Sequence, residues 1–298
     1  MSGELTIRPA RPDDRPAIEH ICAHTWPDGD YVPYLWDQWL ADEQGPLIVG
    51  EFDGRVVALN KITFQTPDQA WLQGMRVDPD FRRRGIAGQF LEYSLAYARE
   101  HGARVARLDT SVRNTAVHIM VARAGMERMG DYVFWIADAL AEGPHLSVLS
   151  AGDQAVVQAF LRDSPVLAHC RGVYEADWAW QELSAERVTH LLRDRRIVAR
   201  LTSDGRLVAL AIVTFDAEDR ALEIGFADGE HFAVTELATA VRAYATQVGA
   251  SQARAWIADL PWLRDAFDAA GFGFGDWQGE MLLFELRFDP VSGDGHAS

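Results

Sequence analysis

The sequence predicts an α/β fold, a mixed sheet with helices packed on its faces, built twice along one chain. Three observations carry this. At 298 residues the chain exceeds the roughly 100–200 residues of an ordinary domain. Strand-like and helix-like apolar patterns alternate along it, with antiparallel hairpin signals among them. The order of segments then repeats: LIVGEFDGRVVAL (Leu47–Leu59) is matched by RIVARLTSDGRLVAL (Arg196–Leu210), and LTIRPARPDDRPAIEHI by HLSVLSAGDQAVVQAFL. Gly54 answers to Gly205 and Gly125 to Gly271, the second pair standing a few residues closer. The expected division is 1–140, 141–290, and a disordered tail at 291–298 without periodicity.

The elements of the first copy follow in order. LTIRP reads as a short strand before an Asp-led helix. The segment His24–Leu40 mixes Trp and Tyr with Asp28, Asp30 and Asp37; its rings Trp36 and Trp39 are read as packing between domains. Leu47–Leu59 is a hairpin around an Asp-Gly turn. WLQGMRV is a strand leading into FRRRGIAGQF. The helix that follows has Ile86, Phe90, Tyr93 and Tyr97 at spacings that form one buried stripe, and Gly102 stops it. VARLDTS is the next strand, and NTAVHIMVARAG a helix capped by Asn114 and ended by Gly125. The second copy repeats this order, but ALEIGF runs into ADGEHFAVTEL with no Arg-Gly turn.

Composition narrows the function. Hydrophobic residues make up 48% and charged residues 24%, as in a globular protein, and the formal net charge is -16. Such acidity repels nucleic acid and anionic membrane over most of a surface and attracts cationic small molecules. With only Cys22 and Cys170, neither a disulfide framework nor a cysteine zinc site is expected. No signal peptide or membrane span is read, so a cytoplasmic location is expected.

Against that acidity, Arg82, Arg83 and Arg84 stand beside GIAG at a strand-to-helix turn. The first amides of a helix lack intrahelical partners, and the helix dipole places partial positive charge there. Glycine lets a ligand approach the backbone, and guanidinium groups add charge-assisted hydrogen bonds. The turn therefore suits an anion, although an arginine run also fits a solvated loop. It matches neither the dinucleotide fingerprint nor the P-loop.

MRVDPDFRRRGIAGQFLEYSLAYAREHGARVARLDTSVRN resembles the acetyl-CoA-binding core of the GNAT superfamily of N-acetyltransferases. That loop reads Arg or Gln, two residues, Gly, one residue, then Gly or Ala; Arg82, Gly85 and Ala87 match it. The resemblance covers residues 4–137, and the second copy shares it only through the repeat. It implies two tandem GNAT-like domains, the second degenerate and lacking the loop. It also implies that main-chain groups of Met75 and Val77 pair with the pantetheine arm of acetyl-CoA. The amides of Arg83, Arg84, Gly85, Ile86, Ala87 and Gly88 would cradle its pyrophosphate, and Asn114 would touch it. No metal is implied. Charge gathered at this turn acts within a Debye length of about 8 Å, which lets a strongly anionic co-substrate dock on an acidic protein.

Acyl transfer needs a neutral amine, and an alkylammonium of pKa near 10.4 is deprotonated about once in 2,500 molecules at pH 7, a deficit of about 4.6 kcal/mol. WLQGMRV has no carboxylate to act as base. The tyrosine that the family often places seven residues after the asparagine is Val121 here. His118, one turn earlier, is the candidate acid or base; Asp109, on the preceding strand, is another, for which the structural-partner reading is preferred. Trp26, Asp30 and Tyr31 are the candidates for the amine side. The expected activity is acetyl transfer to a primary amine of a small molecule by direct attack, in a monomer or a dimer. A non-catalytic acyl-CoA sensor and a protein lysine or N-terminal acetyltransferase are the alternatives.

Overall fold

A computed structural model describes residues 4–25, 29–274 and 279–289. They divide into two compact units, each a mixed sheet with helices on it. The first takes the chain up to Asp109, Asn114–Arg128, and the chain from Phe284 onward; the second takes Thr110–Arg113 and Met129–Leu283.

In the first unit, β1 (Leu5–Pro9), β2 (Leu47–Phe52), β3 (Arg55–Thr66), β4 (Gln69–Val77) and β5 (Val105–Ser111) lie side by side in that order. The pairings are antiparallel until β4 and β5, which run parallel. The β2–β3 turn places Asp53 (φ 50°) and Gly54 (φ 75°) in the left-handed region, as a two-residue hairpin loop requires. Helices α1 (Arg15–Ala23) and α2 (Val32–Ala41) cover one face and α3 (Ile86–Glu100) the other. The strand period separates these faces: Val49 joins the α1–α2 core, while a Cβ on the adjacent Gly50 would lie 2.6 Å from the Phe90 ring of α3. Asn114 caps α4 (Thr115–Arg123), its side chain accepting from the Val117 amide.

Two expectations change. Trp36 and Trp39 are buried within the first unit's own core with Ile18, Ile21, Cys22 and Val32, not set aside for packing between domains. The buried stripe of α3 is rotated: Leu91, Leu95 and Ala98 join Ile86 and Phe90, whereas Tyr93 and Tyr97 are half-buried. Tyrosine hydroxyls stay hydrated this way while aliphatic groups fill the interior. Tyr97 stacks instead on His101, ring centroids 3.8 Å apart.

The second unit contains β6 (Glu127–Asp138), β7 (Ser147–Val148), α5 (Gln154–Arg162), α6 (Pro165–His169), β8 (Val173–Ala176), β9 (Ala179–Glu182) and α7 (Ala185–Arg193). Then come β10 (Ile197–Leu201), β11 (Leu207–Asp216), β12 (Ala221–Gly229), α8 (His231–Gln247), β13 (Gln252–Ala258), α9 (Pro261–Ala269), β14 (Gly273–Phe274) and β15 (Glu280–Arg287). Its sheet runs β6-β13-β12-β11-β10-β7.

The units do not divide at residue 140. β6, the last strand of the first repeat, pairs with β13 of the second from Gln252↔Asp138 to Ala258↔Tyr132. The end of β15, the last strand of the second repeat, lies beside β5 in the first unit, where the Phe288 amide donates to the Arg104 carbonyl at 2.9 Å. A strand's alternation specifies which of its faces is buried, and says nothing of which sheet edge it joins.

The repeats share a detail finer than their element order. The β3–β4 register slips at Gly74, between Leu59↔Arg76 and Lys61↔Gln73, and the β11–β12 register slips at Gly225, between Ile212↔Phe226 and Val213↔Ile224. Trp39 of α2 covers Gly74. The main chain of Glu175 in β8 covers Gly225.

Glu175 and Glu223 are both buried in the second unit. Desolvation pushes both carboxyls up, Glu223 to about 7, and the Glu223 charge pushes Glu175 further. An acid whose folded-state pKa is raised loses stability as pH climbs from its unfolded value near 4.5 toward its folded one. Glu175→Gln is therefore expected to raise Tm by a few degrees at pH 8 and to leave it unchanged at pH 4, as read by circular dichroism melts.

Candidate active site

The site starts from the slip at Gly74. This residue has φ 70°, and a Cβ there would lie 2.7 Å from the Trp39 ring, so glycine is required both by the backbone and by the approach of α2. A bulge bends its strand and increases the local twist. Accordingly, β4 and β5 pair only at Gln69↔Val105, Ala70↔Ala106 and Trp71↔Arg107, although β4 continues to Val77 and β5 to Ser111. Beyond that point the strands part. The main chain of Gln73–Val77 keeps its β3 partner and faces a gap on the β5 side.

The arginine turn closes one end of β4. Buried Asp78 accepts from Arg55 Nη2 at 2.6 Å and from the Asp80 amide at 2.9 Å, which pins the start of the turn. The Phe81 ring lies beneath two guanidinium groups, Arg55 at 5.2 Å and Arg84 at 4.8 Å. Arg82 donates Nε to the Val77 carbonyl at 3.1 Å, and Arg84 donates to the Asp80 carbonyl at 3.1 Å. Arg83, at φ 62°, is exposed and makes no side-chain hydrogen bond or ion pair among the described residues. Gly85, at φ 79°, is the N-cap of α3 and supplies no capping side chain. A Cβ added to Gly85 or Gly88 would meet nothing within 4 Å. Thus the first turn of α3 presents uncapped amides under open space with guanidinium groups around it, and this fits a phosphate-bearing ligand.

On the α1–α2 side, Asp30 binds Arg76 through both oxygens, at 2.6 and 3.0 Å, and accepts from the Val32 amide at 3.1 Å. Its side chain is buried. Asp30 therefore positions Arg76 and the start of α2; its oxygens are not directed at an incoming amine. Arg76 lies 5.2 Å above the Tyr31 ring, and Tyr31 meets Trp39 edge to face at 6.1 Å. Nearly half of the Tyr31 surface is exposed, while burial of its hydroxyl pushes its pKa up, with the charges of Arg76 and Asp109 both acting on it. Burial beside Asp30 also holds the Cys22 thiol up at about 12, which removes it as a nucleophile. Trp26 lies outside the described residues.

Met75 and Val77 line the unpaired stretch of β4. Asn114 and His118 share the first turns of α4, with the His118 ring half-buried 5.9 Å from Phe284. Val121 is fully buried, so the position at which the family often carries tyrosine is a core position here. Arg55, Asp78 and Arg76 were not legible as site residues. The one signal was a charged residue inside the otherwise apolar end of WLQGMRV.

Among the described residues no group of three or more His, Cys, Asp or Glu is placed to hold a metal, and no helix is long and apolar enough to cross a membrane.

Residues 15–126 match the acetyltransferase (GNAT) family model. The chain is 25% identical over 139 residues to an aminoglycoside N(6')-acetyltransferase type 1 of Stenotrophomonas maltophilia, covering 44% of this chain and 91% of that protein. Two further N-acetyltransferases, one of them a histidine N-acetyltransferase, are spanned over only 24% and 22% of their own length. In fold, a GCN5-related N-acetyltransferase from Sphaerobacter thermophilus superposes with a TM-score of 0.65 at 14% identity, over 96% of both chains. A tandem GNAT protein from the clavulanic acid biosynthesis pathway superposes with a TM-score of 0.55 at 15% identity, over 97% of this chain and 100% of its own. Residues 15–126, with their bulged strand and arginine turn, are an acetyltransferase domain of the GNAT family, within a chain that has the fold of a tandem GNAT protein.

Proposed function

We propose that this N-acetyltransferase transfers the acetyl group of acetyl-CoA to a primary amine of a small molecule, with the first unit binding the co-substrate. The observation that carries the reading is the open, uncapped first turn of α3 among guanidinium groups, set at the end of a strand whose main chain is free on one side. The relative that acts on an aminoglycoside supports a small polyamine-like acceptor.

Acetyl-CoA supplies an activated thioester carbonyl. The chain's residues do the rest. The amides from Arg83 to Gly88 and the three arginines hold the diphosphate, and the free edge at Met75 and Val77 aligns the pantetheine arm, with Asn114 beside it. His118, on the same helix as Asn114, is the proposed proton donor to the leaving thiolate. Alignment of amine and thioester provides much of the rate.

The second unit is proposed to bind no coenzyme A. Its α8 starts directly behind β12, a Cβ on Gly229 would collide with the Val208 carbonyl, and the buried Asp228 is committed to Ser164 and to the Val166 and Gly229 amides. Titration calorimetry with acetyl-CoA is expected to give one site per chain, and thiol release is expected with at least one of a panel of aminoglycosides, polyamines and amino acids. Binding without release on any amine would favour a sensor, and binding at two sites would overturn the assignment of the second unit.

A further inference from the structure

Resting on the acetyltransferase reading above, we infer that Asp109 is the base that takes the ammonium proton from the acceptor at the mouth of the gap between β4 and β5.

The position is set by the sheet. Asp109 lies two residues past Arg107, the last β5 residue paired with β4, so it stands where the strands have begun to part. It faces the α1–α2 side by strand alternation: Leu59 of that core and Thr63 share a face of β3, Thr63 pairs with Trp71 and Trp71 with Arg107, two residues before Asp109. Tyr31, on which its charge acts, is acted on in turn by Arg76 and Asp30. The Arg76 guanidinium is neutralised by Asp30, so no unbalanced cation repels an incoming ammonium. The half-exposed Tyr31 ring offers that ammonium a π face.

Its lack of a counter-ion separates Asp109 from the unit's carboxylates that sit against guanidinium or ammonium groups. Asp14 pairs with Arg8, Asp30 with Arg76, Asp68 with Arg104, Asp78 with Arg55, and Asp42 with Lys61. Among the described residues Asp109 has no ion pair, and the hydrogen bond acting on its carboxyl comes from its own main chain. Asp109 is half-buried, and an aspartate drawn out of water for a structural purpose is ordinarily paired. Desolvation raises this carboxyl to about 7, so at neutral pH a large share is ionised and its basicity suits the transfer.

The acceptor R–NH3+ gives one proton to the Asp109 carboxylate, leaving R–NH2 and a neutral carboxyl. The nitrogen lone pair forms the C–N bond to the thioester carbonyl carbon, and the C–S bond then breaks with its electron pair on sulfur. The second nitrogen proton ends on the thiolate as coenzyme A thiol, and Asp109 returns its proton to water.

The test compares the full chain with Asp109→Asn. Calorimetry should show acetyl-CoA affinity unchanged within about twofold, since the side-chain contacts of the arginine turn run to Val77, Asp80 and Phe81 and, among the described residues, none to Asp109. With kanamycin, spermidine and histidine as probe acceptors, kcat should fall about 100- to 10,000-fold. The wild-type kcat/KM should rise with pH through a limb near 7; the variant should lose that limb and climb only with the free fraction of the amine. A second readout needs no acceptor. Because a raised folded-state pKa costs stability above the unfolded value near 3.8, Asp109→Asn should melt higher than wild type at pH 8 and equally at pH 4. An unchanged limb and rate, or a variant that melts lower at pH 8, overturns the inference. Failure of wild type to bind acetyl-CoA would sink the acetyltransferase reading instead, and the melting comparison alone would then decide whether Asp109 is a structural residue.

Discussion

Arg107→Ala is expected to be among the most damaging single substitutions to stability, at about 3–5 kcal/mol, the cost of leaving one member of a buried ion pair behind. Arg107 is fully buried and Glu285 nearly so. The guanidinium donates to Glu285 at 2.6 Å and to Gln69 Oε1 at 2.8 Å. It thereby fastens the C-terminal strand to β5 and β5 to β4, just where β4 and β5 are about to part. Alanine would strand the Glu285 carboxylate in the interior, left among the described residues with Arg287 at 2.7 Å from its other oxygen. The urea midpoint should fall by about 1–2 M, taking m near 2–3 kcal/mol/M. A double variant, Arg107→Met with Glu285→Met, separates the pair's charge from its packing: it should recover most of the loss, because apolar side chains of similar volume often replace a buried pair without cost. An Arg107→Ala midpoint unchanged from wild type would show that the C-terminal strand is held by main-chain pairing alone.

The same pair shows where sequence reading stops. VARLDTS reads as a strand from its alternation, but Arg107 in a strand has no visible partner until the fold brings Glu285 beside it from the end of the chain. Exchange of the last strands was invisible for the same reason: β6 and β15 carry ordinary alternation, which is indifferent to the sheet that receives them. Local chemistry was more legible. The Asp53-Gly54 hairpin, the Asn114 cap, the stop at Gly125 and the RRRGIAG turn each declare themselves within a few residues, since positive φ, capping and charge density are local properties. Asp30 and Asp109 show how much a carboxylate's partner decides. Asp30 sits among aromatics and invites an amine-binding role, yet Arg76 consumes it; Asp109 resembles any strand aspartate until the absence of a counter-ion can be checked.

Gly85→Val should lower acetyl-CoA affinity by about 100-fold or more, near 2.7 kcal/mol, by two routes that a second variant can separate. At φ 79° valine is strained by its backbone, at roughly 1–2 kcal/mol or more for a β-branched residue, so the turn would shift away from the shape that exposes the amides. Its side chain would also enter the open space above the first turn of α3. Gly88→Leu tests the second route alone. Gly88 lies in the helix without positive φ, leucine has the better helix propensity, and a side chain there meets no protein atom near its Cβ. Helix stability should therefore hold or rise while the ligand is excluded. Calorimetry with acetyl-CoA on both variants, alongside far-ultraviolet circular dichroism, distinguishes the cases. Loss in both, with native spectra, places the diphosphate over the first turn. Loss in Gly85→Val alone would mean that the shape of the turn matters and the space above it does not. Retained affinity in both would leave the uncapped helix end without a ligand, and the arginines around it with no role beyond solvation.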